Sequence, residues 1–173
     1  MGEIRSTLDI IMEKARDVEV TDEDKAAFLK RDVEGKIKGF VQKALDGFID
    51  AEGLHSEIRA LARDRYEVAL SVLKSECLSR MAPDADNREL LEILSRVAGF
   101  DTSPVEKLLL EYGKEREEKR AAREAALRQQ LTDQGISGSA VNPNLKADPE
   151  WINESTEAKD RFHQALEGLN RES

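Results

Sequence analysis

Residues 29–49, Leu29-Lys30-Arg31-Asp32-Val33-Glu34-Gly35-Lys36-Ile37-Lys38-Gly39-Phe40-Val41-Gln42-Lys43-Ala44-Leu45-Asp46-Gly47-Phe48-Ile49, decide the fold class. Their apolar members recur every three or four positions, the spacing that places side chains along one face of an α-helix. Just upstream, Thr21 followed by Asp22, Glu23 and Asp24 reads as an N-cap with carboxylates at the positive end of the helix dipole. A helix from there to Glu52 would be roughly 45 Å long and would form the spine of the fold. Gly35 and Gly39 fall inside it, each costing about 1 kcal/mol relative to alanine. The expected compensation is the close approach of another helix backbone over the two glycines, with a bend at them as the alternative.

The same period continues in both directions. Ile4, Leu8, Ile11, Met12, Ala15 and Val18 form a stripe that predicts a first helix ending near Asp17. Gly53 reads as a break, after which Ile58, Leu61, Ala62, Ala69, Leu70, Leu73, Cys77 and Met81 predict a third helix antiparallel to the spine. The turn at residues 83–87 leads to Leu90, Leu91, Leu94, Val97 and Ala98, a short helix stopped by Gly99. Ser103-Pro104 opens another, with proline in the first turn, where its missing N–H has no helical partner. Val105, Leu108, Leu109 and Tyr112 anchor that helix to the core.

Beyond Gly113 the pattern changes. Residues 114–128 mix basic and acidic side chains with almost no apolar stripe, so this stretch is expected to project into solvent. Glu115 with Lys119 and Glu124 with Arg128 have the favoured acid-first i,i+4 order, and four alanines add intrinsic helicity. Gly135-Ile136-Ser137-Gly138-Ser139 and Asn142-Pro143-Asn144 read as an irregular connector. After it, Ala158, Phe162, Ala165, Leu166 and Leu169 mark a last helix. The expected organisation is therefore a helical core at 1–113, a charged extension at 114–131, a linker at 132–150 and a C-terminal helical segment at 151–173. The fold class is all-α: an antiparallel helical bundle or hairpin with coiled-coil character, a projecting charged helix and a linker-tethered C-terminal helix.

Composition narrows the function. The chain of 173 residues carries 27 Lys and Arg against 36 Asp and Glu, a net charge of -9, which repels nucleic-acid backbones and anionic membranes. DNA and membrane partners are accordingly not expected, and any RNA contact would run through 114–128. The single cysteine, Cys77, sits in an apolar stripe and reads as a packed thiol in a reducing, cytoplasmic setting. No apolar run is long enough to span a bilayer. Met1-Gly2-Glu3-Ile4-Arg5-Ser6 matches the loose myristoylation pattern, but Glu3 beside the acceptor glycine and the lack of a basic cluster favour a plain helix start.

Several constellations carry possible chemistry. Glu52 and His55 have the Glu-x-x-His spacing of di-iron bundles, without the further carboxylates such a site needs. Glu89 with Glu92, and Glu115 with Glu118, are i,i+3 acidic pairs of the kind that hold magnesium, yet such pairs are common on acidic helix faces. Cys77 has no base beside it in the pattern, and Gly135-Ile136-Ser137-Gly138 lacks the lysine and strand of a nucleotide loop. No catalytic residue, cofactor or metal ligand is assigned, and the chain is read as not an enzyme.

The opening Met1-Gly2-Glu3-Ile4-Arg5-Ser6-Thr7-Leu8-Asp9-Ile10-Ile11-Met12-Glu13-Lys14-Ala15-Arg16, with Gly135-Ile136-Ser137-Gly138-Ser139-Ala140-Val141, resembles a group of bacterial helical proteins classed as a domain of unknown function. That resemblance implies a bacterial cytosolic protein and attaches no activity. From the residues themselves, the expected role is protein–protein interaction or assembly, as adaptor or scaffold, with a protein partner or self-association. The expected partner-binding residues are Trp151, Ile152, Phe162 and Leu166, an apolar set beyond a mobile linker. The rival readings are a metal-dependent helical-bundle enzyme and a ribosome- or RNA-associated factor using the charged helix.

Overall fold

The computed structural model describes residues 22–61 and 66–171. Six α-helices pack together, with no strand among the described residues: α1 (Asp22–Leu45), α2 (Ala51–Ala60), α3 (Tyr66–Arg80), α4 (Arg88–Arg96), α5 (Ser103–Asp133) and α6 (Pro149–Arg171). The apolar stripe expected at residues 4–18 lies outside the described residues.

The all-α reading holds, but the spine ends earlier than Glu52. Gly47 adopts φ 73°, the left-handed conformation that only glycine takes without strain. The N–H of Phe48 bonds to the Lys43 carbonyl and that of Gly47 to the Ala44 carbonyl, both at 2.9 Å, which closes the last turn of α1 as a Schellman cap. Three residues later Asp50 caps α2, its Oδ1 accepting from the Gly53 N–H at 2.8 Å. Gly53 is thus inside the first turn of α2, and the break lies at residues 46–50. Phe48, expected on the buried face, is 77% exposed because the glycine turns the chain away from the core.

The third helix is also reassigned. Residues 51–60 form the separate α2, which reverses the chain, so α3 starts back near the beginning of α1 and runs alongside it in the same direction. Arg80, the last residue of α3, donates from Nη1 to Gln42 Oε1 near the end of α1 at 2.8 Å. The expectation of an antiparallel pair assumed one unbroken helix over 58–81. Gly35 and Gly39 are exposed, and a Cβ on either would meet nothing within 4 Å. No backbone closes over them, and α1 continues through both, since they face away from buried Val33, Ile37 and Val41.

The core centres on α3. Ala69, Val72, Leu73, Cys77 and Leu78 are buried at adjacent as well as i,i+4 positions, a wide apolar arc that lets α3 touch α1, α2, α4 and α6. Leu54 and Ile58 of α2, Leu90, Ile93 and Leu94 of α4, Val105 and Tyr112 of α5, and Ala158, Phe162 and Leu166 of α6 complete it. The turn before α4 is pinned by buried Asn87, whose Nδ2 donates to the carbonyls of Ala82 (2.8 Å) and Ala85 (3.1 Å). Gly99, at φ 63°, ends that short helical segment where expected.

α5 is continuous from Ser103 to Asp133, so the change of composition at Gly113 falls inside one helix. Past Tyr112, α5 contributes nothing to the buried core; roughly 30 Å of helix runs on from there. It is not bare, because α6 packs against it in the opposite direction. The connector includes a short 3-10 turn at Leu145–Ala147 with Leu145 buried, and a Schellman cap at Gly135 (φ 80°) ends α5.

Candidate functional site

The α5–α6 hairpin brings together most of the residues that the sequence singles out. Its base is apolar. Phe162 meets Tyr112 edge to face, ring centroids 5.7 Å apart, and both are buried with Leu166. Above the base, attachment becomes ionic. Asp84, from the turn before α4, accepts from Tyr112 Oη at 3.2 Å and pairs with Arg116 Nη1 at 2.8 Å on α5 and Lys159 Nζ at 2.9 Å on α6. Burial pushes the Asp84 carboxyl up, but the Lys159 hydrogen bond, the Arg116 and Lys159 charges and the Tyr112 hydroxyl outweigh it and leave its pKa lowered. Arg161 of α6 adds a bond to Glu115 of α5 at 2.8 Å.

At the far end Arg123 forks onto Asp148, Nε to Oδ2 at 2.6 Å and Nη2 to Oδ1 at 2.9 Å, and also pairs with Glu150. The same Asp148 accepts from the Trp151 N–H at 3.0 Å, so it caps α6 while it holds α5. The Arg123 hydrogen bonds, opposed by burial and helped by the Trp151 N–H, lower the Asp148 pKa. Between the two helices and the connector lies a cleft of about 260 Å³, its walls including Leu127, Leu131, Pro143 and Ala147 with the amides of Gln130 and Gln134.

Of the four residues expected to bind a partner, the structure places Phe162 and Leu166 in this chain's own core, where they are 2% and 3% exposed. The C-terminal segment packs on α3 and α5 of the same chain, so these two side chains are occupied. Trp151 is half-buried and Ile152 is 48% exposed on the first turn of α6. The sequence reading missed Asp148. Its signal is Asp148-Pro149, an N-cap followed by a proline in the first helical turn, with an Arg one hairpin length upstream.

Glu52 is exposed on α2, while His55 Nε2 lies 3.1 Å from Tyr66 Oη. Among the described residues no group of three or more His, Cys, Asp and Glu is placed to hold a metal ion. Glu115 pairs with Lys119 at 2.7 Å as the spacing suggests, but Glu124 pairs with Arg120 at 3.0 Å rather than Arg128. Of the cations of the RNA reading, Arg116, Lys119, Arg120, Arg123 and Arg128, the first four are engaged with carboxylates of this chain. Cys77 is fully buried, and burial, reinforced by the Glu76 charge against that of Arg80, pushes its thiol up to about 12. Among the described residues no helix is long and apolar enough to cross a membrane.

Comparison with known proteins finds no family model, no curated protein and no solved structure that matches the chain.

Proposed function

We propose that the chain is a non-enzymatic protein-binding protein, an adaptor or assembly factor, and that the open face of the α5–α6 hairpin around Trp151 and Ile152 receives its partner. The observation that carries this reading is the hairpin's construction. Past Tyr112 on one strand of the hairpin, and before Ala158 on the other, no residue joins the core, so this length of helix is not needed to stabilise the bundle. It is nevertheless held in register by Arg123, Asp148 and Arg161, and it presents a half-buried tryptophan beside an exposed isoleucine. Aromatic side chains with one face free are the usual anchors of protein interfaces.

Affinity capture with the full chain in its native cell extract, read by quantitative mass spectrometry, tests the proposal. A partner enriched by the wild-type chain and lost with Trp151→Ala or Ile152→Glu is the expected result. Recovery of the same proteins by both variants, or of none by the wild type, would count against it. No specific observation favours the metal-enzyme or RNA reading over this one.

A further inference from the structure

We infer that the cleft between the end of α1 and α4, beside Phe48, is a second docking surface, and that its occupant is a basic amphipathic helix of another protein carrying arginine at its edge. This rests on the protein-binding reading and adds a surface and a partner chemistry to it. The cleft measures about 270 Å³, enough for a single long side chain, and Ala44, Ile49, Ala51 and Ile93 give it apolar walls. Asp50, Glu89 and Glu92 stand in the same lining. Phe48, next in sequence to lining residues Gly47 and Ile49, is the most exposed large apolar side chain among those described, at 77%.

The turn that carries Phe48 is well fixed. Its start is set by the Gly47 cap and its end by the Asp50 cap, and a Cβ on Gly53 would come within 3.3 Å of Ile49 Cβ. An exposed aromatic on a constrained turn loses little conformational entropy on binding. The rim chemistry then selects the occupant. Glu92 is already bonded to Arg96 at 2.8 Å and Asp50 to the Gly53 N–H, whereas Glu89 has no ion-pair partner among the described residues. An arginine stem laid over Ile49 and Ile93 would bring its guanidinium to that carboxylate, and Phe48, exposed on the adjoining turn, would meet apolar side chains of the same helix.

A second copy of this chain fits poorly. Its net charge is -9, and its residues 1–21, which hold another apolar stripe, carry Glu3, Asp9, Glu13, Asp17 and Glu19 against Arg5, Lys14 and Arg16. Like charge on both sides opposes that pairing. The complementary partner is therefore a cationic helix from a different protein.

The test uses the full chain and a fluorescein-labelled helix-forming peptide with a leucine stripe flanked by arginines, together with a twin in which glutamates replace the arginines. Anisotropy titration should show saturable binding of the arginine peptide only, weakened about tenfold or more by Phe48→Ser and by Glu89→Lys, and weakened by added salt. Leu110→Ser, at a position 73% exposed on α5 and outside the cleft, should leave it unchanged. Circular dichroism confirms that each variant stays folded. No binding of the arginine peptide, equal binding of the glutamate twin, or wild-type affinity in the Phe48 and Glu89 variants overturns the assignment. Such a failure leaves the hairpin reading standing, because capture through Trp151 and Ile152 judges that one separately.

Discussion

Arg123 and Asp148 form a two-pronged ion pair across the α5–α6 hairpin, at 2.6 and 2.9 Å, and the acid simultaneously caps α6 through the Trp151 N–H. One carboxylate therefore performs two tasks: it starts a helix and it fastens that helix to its neighbour. Asp148→Ala is expected to release both. Hydrogen–deuterium exchange should speed up over residues 149–155 and 116–127 while α3 keeps its protection, since no core residue is touched. Arg123→Lys, which keeps the charge but loses the planar fork, should produce a weaker version of the same pattern.

Phe162 closes the base of the hairpin, and its loss acts on the whole molecule. Phe162→Ala removes a fully buried ring that packs on Tyr112 and should cost about 3 to 5 kcal/mol. Urea unfolding followed by circular dichroism measures it. A loss below about 1 kcal/mol would mean that α6 is not docked on its own core.

Glycines of α1 and its cap separate conformational from packing effects. Gly39→Ala adds a methyl into open space on a helix interior and is expected to stabilise by about 1 kcal/mol. Gly47→Ala also meets open space, yet it must hold φ at 73° and should destabilise by about 1 kcal/mol. Opposite signs in thermal unfolding are the expected outcome.

Asp84 links the turn before α4 to both hairpin helices, and its lowered pKa gives acid sensitivity a definite sign. A carboxyl more acidic when folded contributes stability above the ordinary aspartate range and loses it as pH falls through the folded value. Asp84→Asn should therefore flatten the decline of stability on the acid side while reducing stability at neutral pH. Comparison of urea midpoints at neutral and acid pH checks both halves.

Cys77, with its thiol pushed up to about 12 and no exposed surface, should resist iodoacetamide in the folded chain and react once the chain is unfolded in urea. Labelling read by mass spectrometry tests this directly.

Much of this architecture was legible in the residues. The apolar period marks most of the helices, Gly99 marks the end of α4 and Ser103-Pro104 the start of α5, and Val105 and Tyr112 read as the core residues they are. Two errors have one cause. A stripe that runs on past Gly47 in sequence obscures a Schellman glycine and an Asp50 cap, so the pattern merges α2 with its neighbours and points α3 the opposite way. The hairpin was obscured for a different reason: residues 114–128 lack an apolar stripe because α6 holds them by charge, and ion pairs such as Arg116–Asp84 and Arg161–Glu115 join residues far apart in sequence. Phe162 and Leu166 looked like a free recognition face because nothing local reveals that Tyr112 and α3 cover them.

Trp151 is the single tryptophan of the chain, half-buried on the first turn of α6, at the surface proposed for the partner. Its fluorescence, followed while the captured partner is titrated into the full chain, is the most direct test of the central claim. A saturable blue shift with reduced acrylamide quenching, abolished by Ile152→Glu, is the expected result; an unchanged spectrum in the presence of bound partner would contradict it.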